Sequence, residues 1–259
     1  RFILNTQTNH TREHSLGNRQ EHAACGIGFI ASREGLYCHS HLQQGLQGLV
    51  RVEHRGALDL DGKTGDGAGI MTDIPFELLG YEHGSIALAT LFLQVESEEQ
   101  RKALKIFEET FQFFGMKILA YRDVPTAPEV LGERARASMP KILHAIIERP
   151  KHCSTDMSFD RLLHQAHRHT LSRLKGHNQA LYFPSLSANT VVYKAMVRSD
   201  LLEQFYLDLQ NPMFKTRFVV FHRRFSTNTV SSWDKAQPFR LIGHNGEFNT
   251  IQGNRSWSY

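Results

Sequence analysis

The sequence predicts an α+β domain, and three observations carry that reading. The 259 residues are 41% hydrophobic and 22% charged, enough apolar material for a sizeable core and too much for a disordered chain. Short β-prone runs and longer stretches with helical spacing are both present. They do not alternate regularly enough for a doubly wound parallel sheet, and no internal repeat is visible. Antiparallel strands with helices grouped on their faces are therefore expected.

Residues 1–22 are rich in Asn, Thr, Gln, His and Arg and, past Phe2, Ile3 and Leu4, have almost nothing to bury. They read as a tail. Composition then changes abruptly at Ala23-Ala24-Cys25-Gly26-Ile27-Gly28-Phe29-Ile30-Ala31, a small, apolar, β-prone run that reads as a buried first strand. Residues 41–52 carry Leu42, Leu46, Leu49 and Val50 at helical spacing. Gly65-Asp66-Gly67-Ala68-Gly69 reads as a turn leading into a short strand at 70–74, and 86–95 as a strand. Ser97-x-x-Gln100 is a capping-box pattern that opens a helix with Leu104, Phe107, Phe111 and Phe114 on one face and Gly115 as its stop.

Strands are expected at 116–121 and 142–147, and Ser158 opens a second helix with Phe159, Leu162, Leu163, Ala166, Leu171 and Leu174 on one side. Further strands are expected at 181–183 and 190–194, a short helix at 201–209, a strand at 217–222 and one more leading to His244.

Charge and motif scans exclude several classes. The net charge is +4 with 15 histidines and no dense Lys/Arg block, which speaks against a nucleic-acid partner. The longest apolar stretch, around 86–95, is about half of what a bilayer crossing needs, so no membrane partner is expected. No secretory signal is visible. Cys25, Cys38 and Cys153 form no C-x-x-C pair, which fits a reduced, cytoplasmic chain without a metal site. Gly62-Lys63-Thr64 lacks the first glycine of a phosphate loop, because position 57 is Ala57. His164, His167 and His169 sit among Arg161, Arg168 and Arg173 with no carboxylate or thiolate, and read as a solvated basic helix face.

The last forty residues are different. Phe221-His222-Arg223-Arg224-Phe225-Ser226-Thr227-Asn228-Thr229 opens a polar loop directly after a hydrophobic strand. It runs through Trp233 to Gln237-Pro238-Phe239-Arg240 and then to Gly243-His244-Asn245-Gly246-Glu247. A strand feeding Asn-Gly is a common hairpin turn. The same pair also sets an amide side chain beside a glycine N–H, the two donors of an oxyanion hole.

A Cys at the edge of a first strand, an Arg-x-Ser-Thr loop and a His-Asn-Gly turn together resemble the class II glutamine amidotransferases, which are N-terminal nucleophile hydrolases. Glu53-His54-Arg55-Gly56-Ala57, Thr64-Gly65-Asp66-Gly67-Ala68-Gly69, Phe225-Ser226-Thr227-Asn228-Thr229, Ala236-Gln237-Pro238-Phe239-Arg240 and Gly253-Asn254-Arg255 look like the glutaminase domain of the glutamate synthase large subunit. Tyr121-Arg122-Asp123-Val124-Pro125-Thr126 and Phe205-Tyr206-Leu207-Asp208-Leu209 look like its bacterial, NADPH-dependent form.

The resemblance implies a four-layer αββα sandwich with two antiparallel sheets. It implies hydrolysis of the glutamine side-chain amide, with ammonia passed on for glutamate synthesis from 2-oxoglutarate. Cys25 would be the nucleophile, Asn245 and Gly246 the oxyanion donors, Arg224 the partner of the glutamine α-carboxylate, and Thr227 part of the loop over glutamine. Arg55 and His54 would be supporting groups, or equally an exposed helix end. Strand alternation points Arg223 to the opposite face from Arg224, where lysine is expected to serve as well.

Residues 1–24 look like a propeptide whose removal would free the Cys25 amine, leaving 25–259 as an amidotransferase domain that stops before the family's aspartate for the glutamine α-amino group. This stretch alone is expected to be inactive. The family's synthase half, with FMN and an iron–sulfur cluster, is expected in the remainder of the chain, and a small subunit with FAD that oxidises NADPH as its partner. A non-catalytic glutamine-binding module is the rival reading, but it has no need of Cys25, Arg224, Asn245 and Gly246 together.

Overall fold

The computed structural model describes residues 26–93, 98–175, 180–223 and 231–240. The chain forms β1 (Ile27–Ala31), α1 (His39–Arg51), β2 (Thr64–Asp73), α2 (Phe76–Leu79), β3 (Ile86–Leu93), α3 (Glu98–Phe113) and β4 (Ile118–Asp123). It continues with α4 (Glu133–Ala137), β5 (Lys141–Glu148), α5 (Asp156–Arg173), β6 (Leu181–Ser187), β7 (Thr190–Val197), α6 (Leu202–Phe205) and β8 (Phe218–Arg223).

The strands make two four-stranded sheets, β1-β8-β2-β7 and β4-β5-β3-β6, and every pairing is antiparallel. The α+β class and the two antiparallel sheets are as expected.

Strand β3 explains the organisation of the core. All eight of its residues are buried. Ala87, Ala89, Leu91 and Leu93 pack with Phe107 and Phe111 of α3 and Phe159 and Leu163 of α5. Leu88 and Phe92, on the other face, join a larger cluster with Ile142 and Ile146 of β5, Ile70, Tyr193, and Leu42, Leu46 and Leu49 of α1. A strand buried on both faces reads as a continuous apolar run, which is why this one is plain in the sequence. Each such leucine contributes about 1.5–3 kcal/mol of burial. Helix α1 reaches β8 closely because it carries glycines there, Gly45 against Val219 and Gly48 against the Phe221 ring.

The two sheets meet along β7. The Tyr193 ring lies 5.7 Å from that of His144 on β5, and the Lys194 amine reaches the Tyr182 hydroxyl on β6 at 3.1 Å. Neighbouring strand residues point to opposite faces, so β7 touches the second sheet from both of its faces.

Several expectations are corrected. Gly65 to Gly69 is part of β2, not a turn. The run pairs with β7 and β8 through a bulge between Thr64 and Ala68, with Gly67 at φ +142. Helix α5 begins at Asp156 and is capped by Thr155. Its hydroxyl accepts from the Ser158 amide at 3.1 Å, so Ser158 is the third helical residue and not the first. The expected helix at 201–209 is three one-turn pieces, Ser199–Leu201, Leu202–Phe205 and Leu207–Gln210, broken by the extended backbone of Tyr206. Strand β4 starts at Ile118, later than expected. Ser97 and the strand leading to His244 lie outside the described residues.

Candidate functional site

Cys25, Arg224, Thr227, Asn245 and Gly246 lie outside the described residues, so the structure shows the frame beside them in the chain. That frame is built on the pairing of β1 with β8. The Arg223 amide donates to the Gly26 carbonyl at 2.7 Å, and Ile27 stands opposite His222. A side chain at position 26 would collide with the Arg223 carbonyl, so glycine is required there. The residue that follows Cys25 is thus bonded to the residue that precedes Arg224.

Arg223 is 0% exposed. Its Nε and Nη2 donate to the two Glu53 carboxylate oxygens, each at 2.9 Å. Nη1 donates to Asp66 Oδ1 at 2.5 Å and to the Gly67 carbonyl at 3.0 Å. Nη2 also reaches the Ala57 carbonyl at 3.3 Å. The guanidinium occupies the space a side chain at Gly56 would need. One cation therefore joins the Glu53–Ala57 and Thr64–Gly69 motifs to the end of β8. The expectation that lysine would serve at Arg223 is corrected: the side chain is buried, and only a fork of donors satisfies both carboxylates.

Burial works against the Glu53 carboxylate, but hydrogen bonds from Arg223 and from Ser199 (amide at 2.8 Å) outweigh it and hold its pKa below the ordinary value. Asp66 Oδ1 also accepts from the Ala57 amide at 3.1 Å.

His54 and Arg55 stand on the one-turn helix Glu53–Arg55, His54 exposed and Arg55 half-buried. They flank the carboxylate that Arg223 holds. Sequence reasoning gave no role to Glu53 and Asp66, although both stand in motifs it singled out, and it read Arg223 as replaceable; only Asp66, a lone charge among glycines, carried a local signal.

The stretch 231–240 is tied to both sheets. Trp233 is buried and its indole N–H donates to the Ala135 carbonyl at 3.2 Å. Lys194 Nζ donates to the Asp234 carbonyl at 2.7 Å. The Gln237 carbonyl lies over Gly69, where a Cβ would stand 2.5 Å from it. Arg240 Nη2 donates to Asp160 at 2.9 Å and to the Ser187 hydroxyl at 3.1 Å.

The histidine cluster is only partly the solvated face expected. His164 and His169 are exposed, but His167 turns its ring to Phe183 at 4.9 Å, and burial pushes its pKa down to about 4. Among the described residues no group of three or more His, Cys, Asp or Glu side chains could hold a metal ion. Thr64 leads into β2 and not into a helix, so Gly62-Lys63-Thr64 is not a phosphate loop. Among the described residues no helix is long and apolar enough to cross a membrane.

The chain is 40% identical over 248 residues to ferredoxin-dependent glutamate synthase 2 of Synechocystis, covering 92% of this chain and 16% of that protein. It is 38% identical over 250 residues to ferredoxin-dependent glutamate synthase 1 of Arabidopsis thaliana, covering 92% of this chain and 15% of that one. It is 37% identical over 258 residues to the glutamate synthase [NADPH] large chain of Azospirillum brasilense, covering 95% of this chain and 17% of that one. The chain thus spans about a sixth of the length of these relatives. The family model for class-II glutamine amidotransferases matches residues 25–259, starting on the cysteine at the head of β1. This chain belongs to the class-II glutamine amidotransferases.

Proposed function

We propose that Cys25 hydrolyses the side-chain amide of glutamine and that the ammonia serves glutamate synthesis from 2-oxoglutarate in the whole protein. The observation that carries the reading is the bond from the Arg223 amide to the Gly26 carbonyl. It ties the chain next to the nucleophile to the chain next to the arginine proposed for the substrate carboxylate.

Residues 1–24 are removed, and the freed α-amine of Cys25 takes the thiol proton. A free thiol has a pKa near ~8.5 and an α-amine near ~7.7–8.0, so the two are about matched near neutral pH. The thiolate attacks the amide carbon, a C–S bond forms, the C–N bond breaks, and the proton leaves with ammonia. Water then hydrolyses the thioester, releasing glutamate and the thiol. The Asn245 side-chain amide and the Gly246 N–H stabilise the oxyanion formed in each step. Arg224 pairs with the glutamine α-carboxylate, Thr227 belongs to the loop over it, and Arg55 and His54 support the site beside Glu53.

The sequence has three cysteines in all, which does not fit a cluster held by four thiolates. We assign FMN and the iron–sulfur centre to the synthase part of the whole protein, as the resemblance implies, and no step above runs through them. NADPH, taken through an FAD-bearing small subunit, is the proposed electron source. Its support is the resemblance of the stretches 121–126 and 205–209 to the NADPH form, and the two stretches pack together. Arg122 grips Asp208 through two bonds of 2.6 and 2.8 Å, and the Leu207 amide donates to the Pro125 carbonyl at 3.1 Å. A cytoplasmic location completes the proposal.

The test is the mass and N-terminal residue of the processed full-length protein, followed by treatment with 6-diazo-5-oxo-norleucine. The expected result is Cys25 as first residue and a single adduct on it. An active enzyme that keeps Ala24, or an adduct elsewhere, contradicts the proposal.

A further inference from the structure

Lys194 is a charged side chain that the glutaminase chemistry leaves without a role. It stands on β7 and is 0% exposed. Its amine donates to the Asp234 carbonyl at 2.7 Å and to the Tyr182 hydroxyl at 3.1 Å. It lies 4.7 Å from the centre of the Phe239 ring and 4.8 Å from that of Tyr182. Asp234 turns its carboxylate to the Ser232 hydroxyl at 2.5 Å and offers Lys194 the backbone. A methionine would fill this place without the desolvation that an amine suffers, so the amine has to be explained by what it holds.

It holds the stretch 231–240 at two points, near its start through Asp234 and near its end through Phe239. Gly69, paired with Lys194 across β2 and β7, leaves room for the Gln237 carbonyl between those points. Ile27, His222, Gly69 and Lys194 form one cross-strand row, so the lysine lies in the row that begins at the first residue of β1. In sequence, that stretch lies between Arg224 and Thr227 on one side and Asn245 and Gly246 on the other.

We propose that Lys194 is a positioning residue of the glutamine site, fixing the stretch 231–240 by its bond to the Asp234 carbonyl and its contact with the Phe239 ring. The inference rests on the glutaminase reading above. The groups that face the amine are Tyr182 from β6 and Asp234 from the stretch, with His222 of β8 beyond Gly69. Burial pushes the lysine down to about 7, against the pull of the Asp234 charge. The grip is therefore strongest below neutrality, where the ammonium strengthens both the hydrogen bond and the ring contact.

The experiment uses the processed full-length protein and compares Lys194→Met with wild type in glutamine-dependent and ammonia-dependent glutamate formation, between about pH 6 and 9. Lys194→Met should lose about 10- to 100-fold in kcat/KM for glutamine at the acid end. The loss should shrink toward the alkaline end, and the ammonia-dependent rate should stay at the wild-type level. Phe239→Leu leaves Lys194 in place but removes the ring, and should move the alkaline fall of wild-type glutamine activity to lower pH. This variant decides the matter where Lys194→Met does not fold.

A pH-independent loss in Lys194→Met, an unchanged glutamine kcat/KM, or an unmoved profile in Phe239→Leu overturns the inference. Wild-type protein that releases no ammonia from glutamine overturns the glutaminase reading itself, a distinguishable result.

Discussion

Arg223 holds Glu53 through two parallel hydrogen bonds, Nε to Oε2 and Nη2 to Oε1, each 2.9 Å long. The arginine is wholly buried while the glutamate keeps a quarter of its side chain exposed, at 26%. The pair binds the end of β8 to the turn after α1, and Asp66 adds a second carboxylate from β2. Removing the cation leaves both carboxylates uncompensated, which costs about 3–5 kcal/mol.

The adjacent arginines therefore separate by measurement. Arg223→Lys keeps one charge but cannot bridge Glu53, Asp66 and two carbonyls, and should lower the denaturant midpoint by the equivalent of about 2–4 kcal/mol. Arg224→Lys should leave stability unchanged and raise KM for glutamine, because the substrate carboxylate is the same in ground and transition states. A bidentate charged contact is worth ~1.5–3 kcal/mol, so a 10- to 150-fold loss in kcat/KM is expected. Equal stability of the two variants would contradict the burial of Arg223.

His144 supplies a pH prediction. It is wholly buried on β5, and neither ring nitrogen has a hydrogen-bond partner among the described residues. Burial pushes its pKa down to about 3, against the pull of Asp208 and with a further push from Arg122. The folded chain keeps the ring neutral while the unfolded chain takes a proton below about pH 6.5, so stability is lost as pH falls from there toward 3. His144→Leu removes this slope. Between about pH 7.5 and 5 wild type should lose about 2 kcal/mol more than the variant. Parallel urea titrations check it, and parallel slopes would show that His144 is protonated in the folded protein.

Gly69→Ala tests the seat of the 231–240 stretch. The new methyl would stand 2.5 Å from the Gln237 carbonyl, a backbone atom that can move only with its segment. A cost of about 1–3 kcal/mol is expected, read as a lowered denaturant midpoint. An unchanged midpoint would place the stretch elsewhere.

The elements that were legible in the sequence are those whose burial has a period. Strand β3 and helices α1 and α3 announce themselves because one or both faces are mainly apolar. The Thr64–Gly69 run was not legible as strand: glycines usually mark turns, and here they are demanded by neighbours that pass close, Val197 beside Gly65 and Gln237 over Gly69. Arg223 was not legible as core, because its partner Glu53 is 170 residues away and charge alone does not reveal burial. Lys194 closes the strand expected at 190–194 with nothing in the sequence to mark its amine as buried, and it is the stretch 231–240 that encloses it. The catalytic residues came from motif resemblance, since Cys25, Asn245 and Gly246 carry no periodicity at all.

The most direct test of the central claim is Cys25→Ser in the processed full-length enzyme, assayed with glutamine and with ammonia as nitrogen source. The nucleophile serves only ammonia release, so glutamine-dependent glutamate formation should vanish while ammonia-dependent formation persists at the wild-type rate. Glutamine-dependent activity that survives the substitution, or loss of both activities in a folded enzyme, would contradict the account.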